Sequence, residues 1–505
     1  MIKKTVLATL VTLTFTATAA QAENFSDQAP IIKPVVANGK SVLVDNTHGQ
    51  TAGAADWVID GAFSDFGQGI AAKGYQVKEL RKGTPITYED LVVHDVFVIP
   101  EANIPFKQSE QDAILKYVKG GGSVFFIADH YNADRNLNRY DSSEIFNGYR
   151  RGAYTDPMKG MSTEEKQSAR MAGVTSTDWL ASNFGVRFRY NALNNITATD
   201  IARDAGAFGI TNGVNSVAMH AGSTIALTNP DIAKGLVYLP SGLTSTDKWG
   251  PAVDQGVYFG GGKEEGAYAA ISKVGLGKAA FIGDSSMVED ATPKYLREDN
   301  GQIKKTYDGY KEQNDSTLLT NVIDWLAEDE AYTSFKEKGL TLDKASPILP
   351  FEVPSVSTEP ESEPWSSPAA TYKWYDESTF KQRSYGYKAE AVPAPQSGYD
   401  FVLPEITNGT SFNVKLTFSG LTPNTTYNNL KVGIYNAGGT QLGSFYMNGQ
   451  WSATGYSPSF TMTTDASGAA VTTLTVKTTK GITGSASIRL KRGTSTLYTE
   501  ALSIK

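Results

Sequence analysis

From Ser41 to Leu326 short runs of β-branched and aromatic residues alternate with segments whose apolar residues fall at helical spacing, and few folds accommodate that rhythm. The pattern predicts strands at Ser41–Val44, Tyr75–Leu80, Asp95–Ile99 and Ser123–Ala128. Between them lie helical patterns over Ala54–Ala72 and Ser109–Lys119, the second stopped by Gly120-Gly121-Gly122. Later strands are predicted at Thr224–Leu227, Leu236–Leu239, Ala267–Lys273 and Lys278–Ile282, and Ser316–Leu326 closes the region as a helix. The expected fold is α/β, a doubly wound and mostly parallel sheet over residues 40–329. Residues from about Tyr131 to Ile196 read as an inserted, partly helical excursion from that sheet.

The grammar then changes. Pro347, Pro350, Pro354, Pro360, Pro364 and Pro368 are mixed with Ser and Glu, which predicts a semi-rigid extended linker over 346–368. Beyond it Ser411–Phe418, Leu430–Tyr435, Gln441–Met447, Ser457–Thr463, Ala470–Thr478 and Ser485–Lys491 alternate apolar residues with Thr, Ser or Lys, with turn residues between them. Short strands at this spacing predict an all-β sandwich over 400–505 as an accessory domain.

Composition bounds the function. A chain of 505 residues with 40% hydrophobic and 20% charged residues is globular and long enough for several domains. Its lack of Cys removes disulfides, thiolate metal sites and a cysteine nucleophile. A formal charge of −7 argues against simple electrostatic coating of nucleic acid, although it permits a local basic patch. One such cluster is Arg150-Arg151, Arg187 and Arg189, interleaved with Tyr149, Phe188 and Tyr190; it fits either anion or nucleic-acid contact or a solvated face. Residues 1–22 read as a secretory signal peptide: Lys3 and Lys4 precede a short apolar stretch, and Ala20-Gln21-Ala22 matches the A-x-A cleavage pattern. No later segment has the length of a membrane span, so the mature chain is expected to be secreted.

Ligands in open α/β sheets sit outside the carboxyl ends of the strands. Four predicted strands deliver polar groups to that edge: Asp45 with His48, Glu101, Asp129 with His130, and Asp284 with Ser285. Imidazole and carboxylate donors converging in this way suit a divalent metal ion, held by Asp45, His48, Asp129, His130 and Asp284. The same groups suit acid–base catalysis, with His48, His130, Asp284 and Glu101 as the catalytic candidates. Each acid could equally cap the turn or helix that follows it. A second feature is Asp134-Arg135-Asn136-Leu137-Asn138-Arg139-Tyr140-Asp141, with oxygen side chains at alternate positions. Three readings stay open: a calcium loop near Asp134, a substrate-binding loop in which Arg135 clamps an anion beside Asp134, Asn136, Asp141 and Ser285, or a solvated turn. It is not an EF-hand, because Arg139 stands where that loop needs Gly.

These motifs are similar to those of glutamine-amidotransferase-like, flavodoxin-type domains of exported bacterial proteins, distant relatives of the GIFT domain of intraflagellar transport proteins. The matching pieces are Val44-Asp45-Asn46-Thr47-His48, Gly121-Gly122-Ser123-Val124-Phe125-Phe126, Asp129-His130, Asp134-Arg135-Asn136 with Asp141, and Gly283-Asp284-Ser285-Ser286 with Asp290. The resemblance implies a class I amidotransferase-like sheet, often with an added β domain. It does not carry amidotransfer, because the catalytic Cys of that class is missing and Asp129-His130 stands at the corresponding turn.

Two functions follow as expectations. The first is an exported metal-dependent hydrolase acting on an extracellular polymer or phosphoester, nucleic acid or polysaccharide. The alternative is a secreted, non-catalytic protein that binds DNA, carbohydrate or an envelope component in the same strand-end crevice.

Overall fold

The computed structural model describes residues 23–360, 365, 367–388 and 398–505, so the proposed signal peptide lies outside the described residues. The chain divides into two compact units, Met1–Lys388 and Ala389–Lys505.

The first unit is mixed α/β around an eleven-stranded sheet. Its parallel block runs Gln76–Leu80, Ser41–Asp45, Val96–Ile99, Ser123–Ile127, Gly277–Ile282 in spatial order. Antiparallel strands extend it: Ala267–Val274 pairs with Gly277–Ile282, and Ile225–Leu227 and Val186–Phe188 follow outward. Alternation of side chains along each strand divides the interior in two. Val42, Val44, Val96, Val98, Phe125 and Ile127 pack with Phe66 and Ile70 of helix Ser64–Ala72 and with Leu318, Val322 and Ile323 of helix Asp315–Leu326. Leu43, Phe97, Ile99, Val124 and Phe126 join a second cluster with Ile114 and Val118 of helix Gln108–Lys119 and with Leu180 and Phe184 of helix Trp179–Phe184. Both faces of the parallel block are therefore covered, which is why its strands read as continuous apolar runs.

Three expectations change. Helix forms only over Ser64–Ala72, not over Ala54–Ala72, because the buried Asp56 carboxylate accepts from the backbone N–H groups of Ala62, Lys294 and Tyr295 and ties the preceding stretch into turns. The excursion after Tyr131 returns to the sheet, since its Val186–Phe188 segment is a strand at one edge. The residues read as a semi-rigid extended linker fold onto the α/β unit instead. Arg189 donates to the Glu352 carboxylate and to the Pro347 carbonyl, with both charged side chains fully buried. Arg151 donates to the Thr358 carbonyl, the Tyr149 hydroxyl to the Glu352 carbonyl, and the Gly152 N–H to Ser357. Further on, Tyr372 and Trp374 are buried in the second cluster. The cause is in the excursion: its arginines point inward and need acceptors, which this strap supplies to Arg189 and Arg151, whereas Arg187 pairs with Asp178 within the excursion. Arg150, Arg151, Arg187 and Arg189 are thus buried, and the basic cluster is neither a solvated face nor an exposed nucleic-acid surface.

The second unit contains two antiparallel sheets. One runs Gly398–Val402, Ser411–Ser419, Ala470–Thr478, Gly443–Met447, Gln450–Trp451, and the other Phe460–Thr463, Thr426–Asn436, Gly484–Arg492, Ser495–Ile504. Val414, Leu416 and Phe445 of the first share one apolar cluster with Val432, Ile434 and Ile488 of the second. Among the described residues no helix is long and apolar enough to cross a membrane.

The strap makes a direct prediction. Glu352→Ala should cost about 3–5 kcal/mol in urea unfolding, because it strands the Arg189 charge in the interior. A double change, Arg189→Met with Glu352→Leu, should recover most of the loss. Equal stability of Glu352→Ala and wild type would show that the strap does not hold the unit together.

Candidate functional site

Asp45 ends its strand and immediately organises the turn beyond it. One carboxylate oxygen accepts from the backbone N–H and hydroxyl of Thr47, at 3.0 and 2.7 Å. That turn brings the His48 ring back, with Nδ1 2.8 Å from the other Asp45 oxygen. Gln50 fixes the arrangement by donating to Asp45 and accepting from the His48 N–H. The His48 carbonyl accepts from the N–H groups of Asn103 and Ile104, which joins this loop to the one after Val96–Ile99. On the far side of the ring Nε2 lies 3.4 Å from Glu110, in the first turn of helix Gln108–Lys119. Glu110 also accepts from the N–H groups of Ile86 and Lys107.

His48 is therefore a cation between two carboxylates. Burial disfavours its charge, yet Glu110 and Asp45 outweigh burial and push its pKa up to about 9. Burial likewise opposes the Glu110 carboxylate, but His48 and the two N–H donors bring it down to about 2. A histidine held this way is a poor base near neutral pH and a fixed hydrogen-bond donor.

The second group lies at the ends of the neighbouring strands. The Arg135 guanidinium bridges Glu101 and Asp129, and Ser285 donates to the other Glu101 oxygen at 2.8 Å. Burial and the nearby Asp129 charge hold Glu101 well above the ordinary carboxyl range, against the pull of Arg135. Asp284 adjoins the group: burial and Asp129 push it up to about 7, although it accepts from the N–H groups of His220 and Ser286 and from Tyr268. Gly222 and Gly283 permit this close approach, since a Cβ at either would run into the opposing loop. His130 is buried with its ring 4.0 Å from that of Trp249. Its Nδ1 bonds the Tyr131 carbonyl, which only accepts, so the proton sits on Nδ1; burial lowers the pKa. Its Nε2 lies 3.8 Å from Asp129.

The predicted residues thus separate. Glu101, Asp129, Arg135, Asp284 and Ser285 come together with His130 at their margin, while Asp45 and His48 belong to a distinct group with Glu110. The predicted divalent metal does not fit these donors. A metal needs several carboxylate or imidazole donors around one point, and among the described residues no three His, Asp or Glu side chains converge in that way. Arg135 already fills the space between Glu101 and Asp129, and His48 carries a proton. Calcium near Asp134 fails for a related reason. Asp134 accepts from the N–H groups of Asn138 and Arg139, the Asn138 oxygen from Tyr140, and the Asn136 oxygen from Tyr372. Asp141 caps helix Ser142–Asn147 through the Glu144 N–H. The alternating oxygens serve the loop's own backbone and, at Asn136, the Tyr372 hydroxyl rather than a shared cation.

A cavity of about 680 Å³ opens at the His48 group. His48, Glu110 and Asn136 contribute polar lining, and Phe25, Tyr375, Phe380 and Tyr385 contribute aromatic wall. Glu101, His130 and Asp284 do not line it, so the single crevice expected from the strand ends is not formed. The Tyr385 ring lines the wall, while its hydroxyl is buried without a hydrogen-bond partner among the described residues. Sequence reasoning missed Glu110, which reads as an ordinary acidic first-turn residue, and the aromatic wall, which follows the Pro-rich stretch. A cluster of aromatics at 372–387 was the available signal.

No family model matches the sequence, and no curated protein matches it. Among solved structures the chain is similar to the mmIFT52 N-terminal domain, at 12% identity and a TM-score of 0.35, covering 58% of this chain and 99% of that one. It is also similar to the exo-beta-1,4-mannosidase Op5Man5 from Opitutaceae bacterium strain TAV5, at 8% identity and a TM-score of 0.25, over 50% of this chain and 32% of that one. The Lin-41 filamin domain matches 22% of this chain and 94% of its own length, at 10% identity and a TM-score of 0.14. At these scores none bears on what the chain does.

The raised pKa of His48 has a sign. A histidine charged more strongly in the folded state stabilises the fold fully below its unfolded pKa, near 6.5, and loses that contribution as pH rises through about 9. Urea unfolding should therefore show stability falling between those values, and His48→Gln should flatten the fall while lowering overall stability. An unchanged slope in His48→Gln would assign the pH dependence elsewhere.

Proposed function

We propose that the chain is an exported, non-catalytic binding protein whose cavity takes a neutral, polyhydroxylated ligand, such as the end of an oligosaccharide. The observation that carries the reading is the cavity itself: aromatic walls beside a polar lining in which several of the charges are already paired. His48 is balanced by Asp45 and Glu110, and Glu377 at the wall by Arg170 and Lys388. Sugar hydroxyls bond readily to fixed donors and acceptors of this kind, and sugar C–H faces pack on aromatic rings. Export rests on the basic and apolar amino-terminal segment with Ala20-Gln21-Ala22. We further read the α/β unit as a doubly wound, Cys-less relative of class I amidotransferase-like domains and the second unit as a β-sandwich. The apolar clusters on both faces of the parallel block support the doubly wound reading, and the core shared by the two antiparallel sheets supports the sandwich; the amidotransferase-like kinship rests on the motifs quoted from the sequence.

A second reading has its own support. Burial and the neighbouring Asp129 charge raise the proton affinity of Glu101, against the pull of Arg135, and that suits a proton donor in metal-free hydrolysis. It predicts turnover that survives EDTA and is lost in Glu101→Gln.

The binding reading is tested by calorimetric titration of the mature chain with a panel of neutral and acidic oligosaccharides. A neutral member should bind, and Tyr385→Ala should weaken it about fivefold to tenfold by removing part of the aromatic wall. Phe380→Ala should weaken it further through lost stacking area. Failure of every neutral sugar to bind, or turnover of any that does, would overturn the reading.

A further inference from the structure

The second unit carries a recognition surface of its own. In its five-stranded sheet Tyr446 pairs with Trp451 across one ladder and with Thr475 across the next, and Thr475 pairs with Asn413. Directly paired residues share a face of the sheet. Trp451, Tyr446, Thr475 and Asn413 therefore form one row across four strands, spanning about 14 Å at the usual strand spacing. The intervening residues Phe445, Val476, Leu474, Phe412 and Val414 point the other way into the core, so this row lies on the open face. Tyr446 is 45% exposed. Its ring centroid lies 5.4 Å from that of Trp451, and the Lys477 ammonium sits 4.3 Å from the Trp451 centroid. Thr475 donates to Asn413 at 2.9 Å, so the polar half of the row is pre-ordered.

Lys477 and Lys415 occupy outward positions on this face, whereas Asp400, on the edge strand, is the acid among the outward residues of the same sheet. The row thus joins an aromatic end, a hydroxyl and amide end, and a cationic margin. We propose that this face binds an acidic polysaccharide, with sugar rings packed on Tyr446 and Trp451, hydroxyls bonded to Thr475 and Asn413, and a uronate carboxylate paired with Lys477. A single-stranded nucleic acid also stacks on aromatics, but it carries a charge at every nucleotide and is met by a cationic groove. Two lysines among Thr, Ser and Asn side chains match a polymer that is mainly hydroxyl with spaced carboxylates. Tyr446 stands exposed beside the half-buried Trp451, so one ring is free to meet a sugar face while the other is held in place by Lys477.

The proposal is independent of the cavity and is tested on the full mature chain by affinity electrophoresis in gels containing polygalacturonate. The wild-type chain should be retarded, and retardation should weaken with added salt. The double variant Tyr446→Ala with Trp451→Ala should lose at least tenfold in affinity, and Lys477→Gln should lose most of the preference for polygalacturonate over its methyl-esterified form. Trp451→Phe should retain binding, and an unchanged thermal unfolding transition in the double variant excludes misfolding as the cause. Neutral-sugar binding in the cavity should be unaltered in the double variant, so failure of one site is distinguishable from failure of the other. No retardation by polygalacturonate, equal retardation of wild type and double variant, or retention on poly(dT) in its place would each overturn the proposal.

Discussion

Burial of charge at the ends of parallel strands is the constraint from which the rest of the α/β unit follows. Asp45, Glu101, Asp129 and Asp284 all sit at or just beyond strands of one sheet, and each is essentially inaccessible to water. Carboxylates in such positions are tolerated only when cations or hydrogen-bond donors compensate them. His48 and Arg135 supply the cations, and their placement dictates the loops. The turn after Asp45 exists in the form needed to return His48 onto its own strand end, and the loop after His130 runs back so that Arg135 reaches both Glu101 and Asp129. Asp284, without a direct cationic partner among its hydrogen bonds, responds by a pKa shifted upward.

The same rule acts beyond Tyr131, where the buried arginines draw a Pro-rich strap inward. Arg189 and Glu352 make an ion pair with no exposed surface on either side chain. The strap leads on to Tyr372 and Trp374 in the core and to the aromatic residues that wall the cavity. Charge compensation and cavity formation are therefore linked through one stretch of chain.

Much of this was legible in the sequence, and the exceptions have physical causes. The parallel strands at Ser41, Val96, Ser123 and Gly277 lie within two residues of their predicted starts, because strands covered on both faces are uninterrupted apolar runs with sharp ends. The polar residues at those ends were legible for the same reason. Their grouping was not: whether His48 faces Glu110 or His130 depends on where a helix cap from another loop is delivered, which no local pattern encodes. The strap was misread because Pro, Ser and Glu make up both a solvated linker and a segment bound to buried arginines. Composition distinguishes these only when the arginines are known to point inward.

The account turns on His48 being a fixed imidazolium rather than a titrating base. The direct measurement is nitrogen NMR of the four labelled histidines in the full chain as a function of pH. The account predicts one ring with both nitrogens protonated at about pH 7.5, losing its proton only near 9 and assigned to His48 by its loss in His48→Gln. A neutral, single-tautomer His48 at pH 7.5, with a pKa at or below the ordinary value near 6.5, would contradict it.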